Sequence, residues 1–285
     1  MNKQIIKFKK EKDNARLTQW LQKSLTITNS LILEIRWNDG NPCFVTKAIA
    51  TNRDCISNSS ISFKECGITA DEAFDTIYIG ILSNLGRLIK IINTVNSIES
   101  TIEVECVSET SPIIGTHKIN RANAIVLRTV PVTLIFKAFK LDICSTFVSD
   151  ETFENMSWSC SQPASIVIPE QIIKNISNIA GIYVIKDSIE TLIFMNVDGV
   201  LCITNSDNQF RYNLGRLIPD DESYASNIQK NFELYINHEL LLLVLNAGGD
   251  VKLTMSTDLT SLDRLLVTDK HNNRTVISSA PSAIQ

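Results

Sequence analysis

The sequence has no run of the roughly eighteen consecutive apolar residues that a helix needs to cross a bilayer. Its longest apolar stretch is Leu240 to Leu245 with its neighbours, so membrane insertion is not expected. It also lacks a surplus of positive charge. A net charge of −4 and a pI near 5.5 exclude a protein that coats nucleic acid non-specifically, because such binding needs excess cations to displace counterions. Any contact with phosphate must come from a local basic patch. The N-terminus, MNKQIIKFKKEKDNARL, is basic but is followed by polar residues and not by a continuous apolar segment. It does not read as a secretory signal, and a cytoplasmic location is expected.

The usual marks of an enzyme are missing too. There is no Walker motif, no GxGxxG after a strand, no GxSxG and no HExxH. His117, His238 and His271 are isolated from paired carboxylates and from cysteine nucleophiles, and nothing has metal-ligand spacing. The seven cysteines are odd in number, lack CxxC spacing and lie mostly inside apolar segments, as reduced core cysteines do. Asp198 precedes Gly199, where a turn explains it more simply than chemistry does. No catalytic residue, metal or cofactor is expected, although catalytic groups assembled from distant parts of the chain escape such a reading.

What remains is a chain of 285 residues, 44% hydrophobic and 20% charged, long enough for two domains with cores of their own. The two halves repeat one order of elements. In the first, IIKF (Ile5 to Phe8) leads into a helical pattern from about Lys12 to Leu25, then LILEI and the turn Asn38-Asp39-Gly40. In the second, SIVIP leads into a helical pattern from about Glu170 to Ala180, then TLIFM and the turn Val197-Asp198-Gly199. Further on, DTIYIGILSNLGRLIKIIN matches FELYINHELLLLVLNAGG, with Tyr78 and Tyr235 in corresponding places, and alternating strands follow each. Period-two alternation between Asp-Gly, Asn and Pro turns describes sheets with one buried face. The expected architecture is α+β: two duplicated domains, residues 1–150 and 165–285, each of antiparallel sheets with two helices on one face. A linker is expected at 151–164, overlapping the acidic and polar stretch Ser149 to Gln162.

The helix faces carry the functional signal. At 100° per residue, Leu17, Trp20, Leu21 and Leu25 share one side of the first helix, with Lys12, Arg16, Gln19 and Lys23 nearly opposite. In the second helix Leu82, Leu85, Leu88, Ile89 and Ile92 form the stripe, and Arg87 and Lys90 lie on the far side. No acid interrupts either face between Arg16 and Lys23 or between Ser83 and Asn96. In the second half Ile172, Ile173, Ile176 and Ile179 form a stripe whose polar face holds Lys174, and the last helix offers only Glu239. A few cations on a solvated helix face are ordinary. Duplicated domains, acidic total charge and cations confined to helix faces together suit a ring that surrounds a duplex without reading its sequence.

The order of strand, helix, strands, helix and strands resembles the DNA polymerase sliding clamps of T4-like phages and of the eukaryotic and archaeal PCNA class. IPEQIIKNI, TLIFMNVDGVLCITNSDNQF, NFELYINHELLLLVL and DVKLTMS carry the likeness in the second half, and NSLILEI, YIGILSNLGRLIKII and TIEVEC in the first. The resemblance covers essentially the whole chain but rests on pattern, since the family has no short invariant motif. It implies a clamp fold without enzymatic activity and a homotrimeric ring around double-stranded DNA. It implies that DNA polymerase and clamp loader bind through short peptides, and, for a viral clamp, that the protein acts in the host cytoplasm. It makes Lys12, Arg16, Lys23, Arg87, Lys90 and Lys174 the DNA-facing residues. It makes Val132, Leu134, Phe136, Phe210 and Tyr212 the subunit interface; the alternative that both strands are interior stays open. Phe153 and Trp158 fall beside the expected partner pocket, where Trp158 can equally anchor the linker to its own domain. Two other functions remain to be weighed: a β-rich viral structural or scaffold protein, and a monomeric clamp-like processivity subunit.

Overall fold

The computed structural model describes residues 3–12, 15–38, 40–50, 54–144, 161–183, 191–229, 231–245, 249–258 and 264–279. The chain divides into two compact units, Met1–Ile49 with Ser57–Thr152, and Ala50–Ile56 with Phe153–Gln285. The segment Ala50–Ile56 thus groups with the second unit. Of the expected linker, Pro163 and Ala164 are already in a strand, while 145–160 lie outside the described residues.

In the first unit the order is β1 (Lys3–Lys10), α1 (Arg16–Ile27), β2 (Leu31–Asn38), β3 (Asn41–Ile49), β4 (Cys55–Ser62), β5 (Ile68–Ala70), β6 (Ile77–Ile81), α2 (Leu85–Thr94), β7 (Ser100–Ser111), β8 (Gly115–Arg128) and β9 (Thr133–Lys137). In the second it is β10 (Pro163–Ile168), α3 (Glu170–Tyr183), β11 (Thr191–Val197), β12 (Val200–Asn205), β13 (Arg211–Arg216), β14 (Ile218–Pro219), β15 (Phe232–Asn237), α4 (His238–Leu245), β16 (Val251–Ser256), β17 (Arg264–Asp269) and β18 (Arg274–Ser278). The two lists agree element for element, and so do the antiparallel pairings. In the first unit, β4-β3-β2-β6 and β5-β1-β7-β8-β9 are joined by a parallel contact of β6 with β8. In the second, β13-β12-β11-β15 and β14-β10-β16-β17-β18 repeat both orders.

Matching the Asp-Gly turns aligns the registers. Tyr78 lies across from Glu34 and Tyr235 across from Ile193, and Glu34 and Ile193 stand the same number of residues before their turns. Asp198 and Gly199 both have positive φ, 52° and 79°, the pair of angles a tight two-residue hairpin requires. The first helical pattern is the one that shifts: α1 begins at Arg16, and Lys12 sits in a bend before it. The apolar stripe starts only at Leu17, so packing has nothing to hold further upstream.

The core of the first unit gathers Phe8, Phe44, Phe63 and Trp20 with the aliphatic faces of both helices and of β2, β6, β7 and β8. Phe63 stacks on Phe44 at 4.7 Å and meets Phe8 edge-on at 5.0 Å. Strand β1 shows the alternation plainly. Phe8 points inward and is buried, as is Lys10, while Ile5 is exposed. Lys10 reaches the carbonyls of Glu11 and Asn96 with Nζ, at 3.0 and 3.2 Å. In the second unit Ile173, Ile176, Phe194, Leu234, Ile236, Leu241, Leu253 and Met255 are buried.

Candidate nucleic-acid interface

Helices α1 and α2 pack against each other and bury their stripes in one cluster, which fixes where their other faces point. Leu17, Trp20 and Leu21 of α1 and Leu85, Leu88, Ile89 and Ile92 of α2 are buried. Two polar contacts tether the buried side of α1 to the sheet: Trp20 Nε1 donates to Ser59 Oγ at 2.7 Å, and Ser24 Oγ lies 3.0 Å from Thr46 Oγ1. Asn29 ties the loop after α1 to the start of α2. Its Nδ2 donates to the Ser83 carbonyl at 3.0 Å, and its Oδ1 accepts from the Gly86 N–H at 3.3 Å. The opposite faces expose Arg16 and Gln19, and Arg87 and Lys90; Lys23 is half-buried and Lys12 is exposed. Neither helix contains a carboxylate, so four cations share this layer and the helices bring no acid to it.

The second unit's helices differ. Lys174 is exposed, but its Nζ lies 2.8 Å from Glu170 Oε1 one turn earlier. The hydrogen bond and charge of Lys174 hold the Glu170 carboxyl below its usual range. Lys174 is therefore paired with a carboxylate of its own helix, where the first unit's helices have none. Helix α4 has Glu239 as its one formally charged side chain, and it is exposed.

The residues expected at a subunit interface separate in the structure. Among the described residues β9 pairs with β8 alone, and β13 ends its four-stranded sheet. Val132 is 42% exposed just ahead of β9, and Leu134 is half-buried. Phe136 is buried in the first unit's core, so its side chain is a core residue and not a contact for another chain. The inward-facing side of β9 carries it there, because alternate residues of an edge strand still face the core. Ile135, which that alternation turns outward, is 52% exposed. Phe210 precedes β13 and is half-buried, and its carbonyl accepts from Thr204 Oγ1. Tyr212 is half-buried too, and its hydroxyl accepts from Asn175 Nδ2 at 3.4 Å. Phe153 and Trp158 lie outside the described residues.

Among the described residues no group of three or more His, Cys, Asp or Glu side chains is placed to hold a metal ion, and no helix is long and apolar enough to cross a membrane. A groove of about 480 Å³ runs between the β2–β3 hairpin and the β4–β5 turn. Among the described residues its ionisable lining consists of Glu11 and Lys64.

No family model matches the sequence, and no curated protein matches it significantly. Solved structures do match. The PCNA of A. fulgidus, solved with the C-terminal region of FEN-1 bound, aligns at a TM-score of 0.60 and 11% identity over 98% of this chain and 99% of its own. The PCNA2-PCNA3 complex of Sulfolobus tokodaii aligns at 0.56 and 11%, over 98% and 100%. The DNA polymerase sliding clamp of Caulobacter crescentus aligns at 0.58 and 11% over 97% of this chain, which spans 66% of that longer one. At such identities the likeness is one of fold. With two units of the same strand and helix order and the same antiparallel pairings, the chain has the fold of the DNA polymerase sliding clamps.

Proposed function

We propose that this chain is a DNA sliding clamp, a processivity factor with no chemistry of its own that encircles double-stranded DNA and tethers a replicative polymerase to it. The observation that carries the reading is the acid-free cationic face of α1 and α2 on a chain whose net charge is −4. Phosphate attraction confined to one helix layer centres a duplex without reading bases, and loose contacts leave it free to slide. The DNA-facing set is Arg16, Lys23, Arg87 and Lys90, with Lys12 beside them.

The ring we propose has three copies joined head to tail, the arrangement in which one rotation closes an assembly. The edges of β9 and β13 support it, since an unpaired edge is a template for another strand. Val132, Leu134, Ile135 and Tyr212 are the side chains available there. Polymerase and clamp loader would dock through short peptides near Phe153 and Trp158. The likeness to phage clamps makes the host cytoplasm the proposed place of action.

Two measurements test this. Light scattering is expected to give three times 31.8 kDa; the monomer mass would favour a monomeric processivity subunit. Primer extension with the cognate polymerase and loader is expected to yield longer products when the chain is added, and unchanged product lengths would favour a structural or scaffold role.

A further inference from the structure

The two units repeat their strand order and pairings but not the charge of their helices. In the first, Arg87 and Lys90 stand exposed on a helix with no carboxylate. In the second, one cation is matched by Glu170 at 2.8 Å, and α4 adds Glu239. A further carboxylate lies beside Glu170: Asp250 Oδ1 accepts the Glu170 backbone N–H at 3.0 Å. An amide at the start of a helix would otherwise favour an anion, and here the protein's own carboxylate takes that place.

We infer, resting on the clamp reading above, that duplex DNA is held by the first unit's helix layer alone, and that Glu170 is a positioning residue that withholds Lys174 from phosphate. Each subunit then offers one attractive and one indifferent surface, so the two kinds alternate around a ring. This limits grip without removing the attraction that centres the duplex. The Glu170–Lys174 pair suits such a role because its cost and benefit to folding are small. Both side chains are well exposed, at 46% and 61%, and ion pairs of that kind contribute little stability. What the pair changes is the charge a passing phosphate meets.

The test is binding of the full chain to a short blunt DNA duplex across a salt titration, read by fluorescence anisotropy. Arg87→Ala is expected to weaken binding severalfold and to lower the slope of log affinity against log salt by up to about 0.9 for each phosphate that the protein no longer neutralises. Lys174→Ala should weaken binding less than Arg87→Ala and leave the salt slope unchanged, because any loss comes from the bared Glu170 carboxylate and not from a lost phosphate contact. Glu170→Gln should tighten binding severalfold and steepen the slope, with thermal stability as in the parent chain. Adding Lys174→Ala to Glu170→Gln should cancel that gain, which separates release of the lysine from a general loss of negative charge. Lys174→Ala weakening binding as much as Arg87→Ala would overturn the inference, as would Glu170→Gln having no effect. If the parent chain bound no duplex and lengthened no products, the clamp reading itself would fall and take this one with it.

Discussion

Replacing Gly80 by alanine isolates the contact that docks the end of the first unit's strand series onto β6. Gly80 is buried in β6, and a methyl group built there would lie 2.5 Å from the Phe139 carbonyl oxygen, 3.1 Å from its carbon and 3.2 Å from Cys144 Sγ. The nearest obstacle is backbone, which has no rotamer to yield. The Phe139 N–H also donates to the Gly80 carbonyl at 2.9 Å, so a retreat that relieves the clash pulls on that bond. Overpacking of this kind costs about 1–3 kcal/mol. If the segment detaches instead, one hydrogen bond worth about 1 kcal/mol breaks, and burial of Leu141 worth about 2 kcal/mol goes with it. Alanine in a strand returns only about 0.5–1 kcal/mol of backbone entropy, so a net destabilisation of about 2 kcal/mol is expected. Gly86→Ala is the control. There the methyl group would meet only Leu25 side-chain carbons, at 3.7 and 4.0 Å, and helix propensity predicts a gain of up to about 1 kcal/mol. Urea unfolding of both variants checks the pair. Equal stabilities for Gly80→Ala and the parent, or a Gly86→Ala as unstable as Gly80→Ala, would refute the reasoning.

Lys47 and Glu34 are buried together with Nζ 3.1 Å from Oε1, and Arg36 bonds the other carboxylate oxygen. Lys47→Met is expected to cost about 3 kcal/mol. The double variant Glu34→Ile with Lys47→Met should recover much of it in urea melts, since Ile193 fills the matching place in the second unit. Burial pushes the Cys55 and Cys66 thiols up to about 12 and that of Cys106 to about 11. Maleimide near neutral pH should therefore spare all three in the folded protein and reach half-buried Cys43 first among the described cysteines; rapid labelling of Cys66 would contradict this. The Glu103 carboxyl is held low chiefly by its hydrogen bond from Arg128, aided by Lys7. Its contribution to stability is present above the unfolded carboxyl's range and is lost as pH falls through the folded value. The melting-temperature gap between the parent and Arg128→Ala should thus narrow on acidification, and a gap independent of pH would remove Glu103 from the account.

Much of this protein is legible in the residues by themselves, and the reason is that the legible parts are local. The Asp-Gly hairpins, the apolar stripes of α1, α2 and α3, the matched Tyr78 and Tyr235, and the order of the duplicated elements all follow from spacing along the chain. The carboxylate that neutralises Lys174 is local too, one helical turn away, and a check for i,i+4 partners would have found it. Other features depend on which distant segment arrives next to which. LILEI gives Glu34 the alternation of a solvent-facing residue, yet it is buried because Lys47 and Arg36 meet it across and along the sheet. Phe136 becomes a core residue, β9 and β13 become edges, and Gly80 becomes indispensable only once β6, β8 and the segment around Phe139 are side by side. Periodicity determined the elements and their buried faces. Only the tertiary structure decided their neighbours, because strand partners and buried charges are chosen by interactions between residues far apart in sequence.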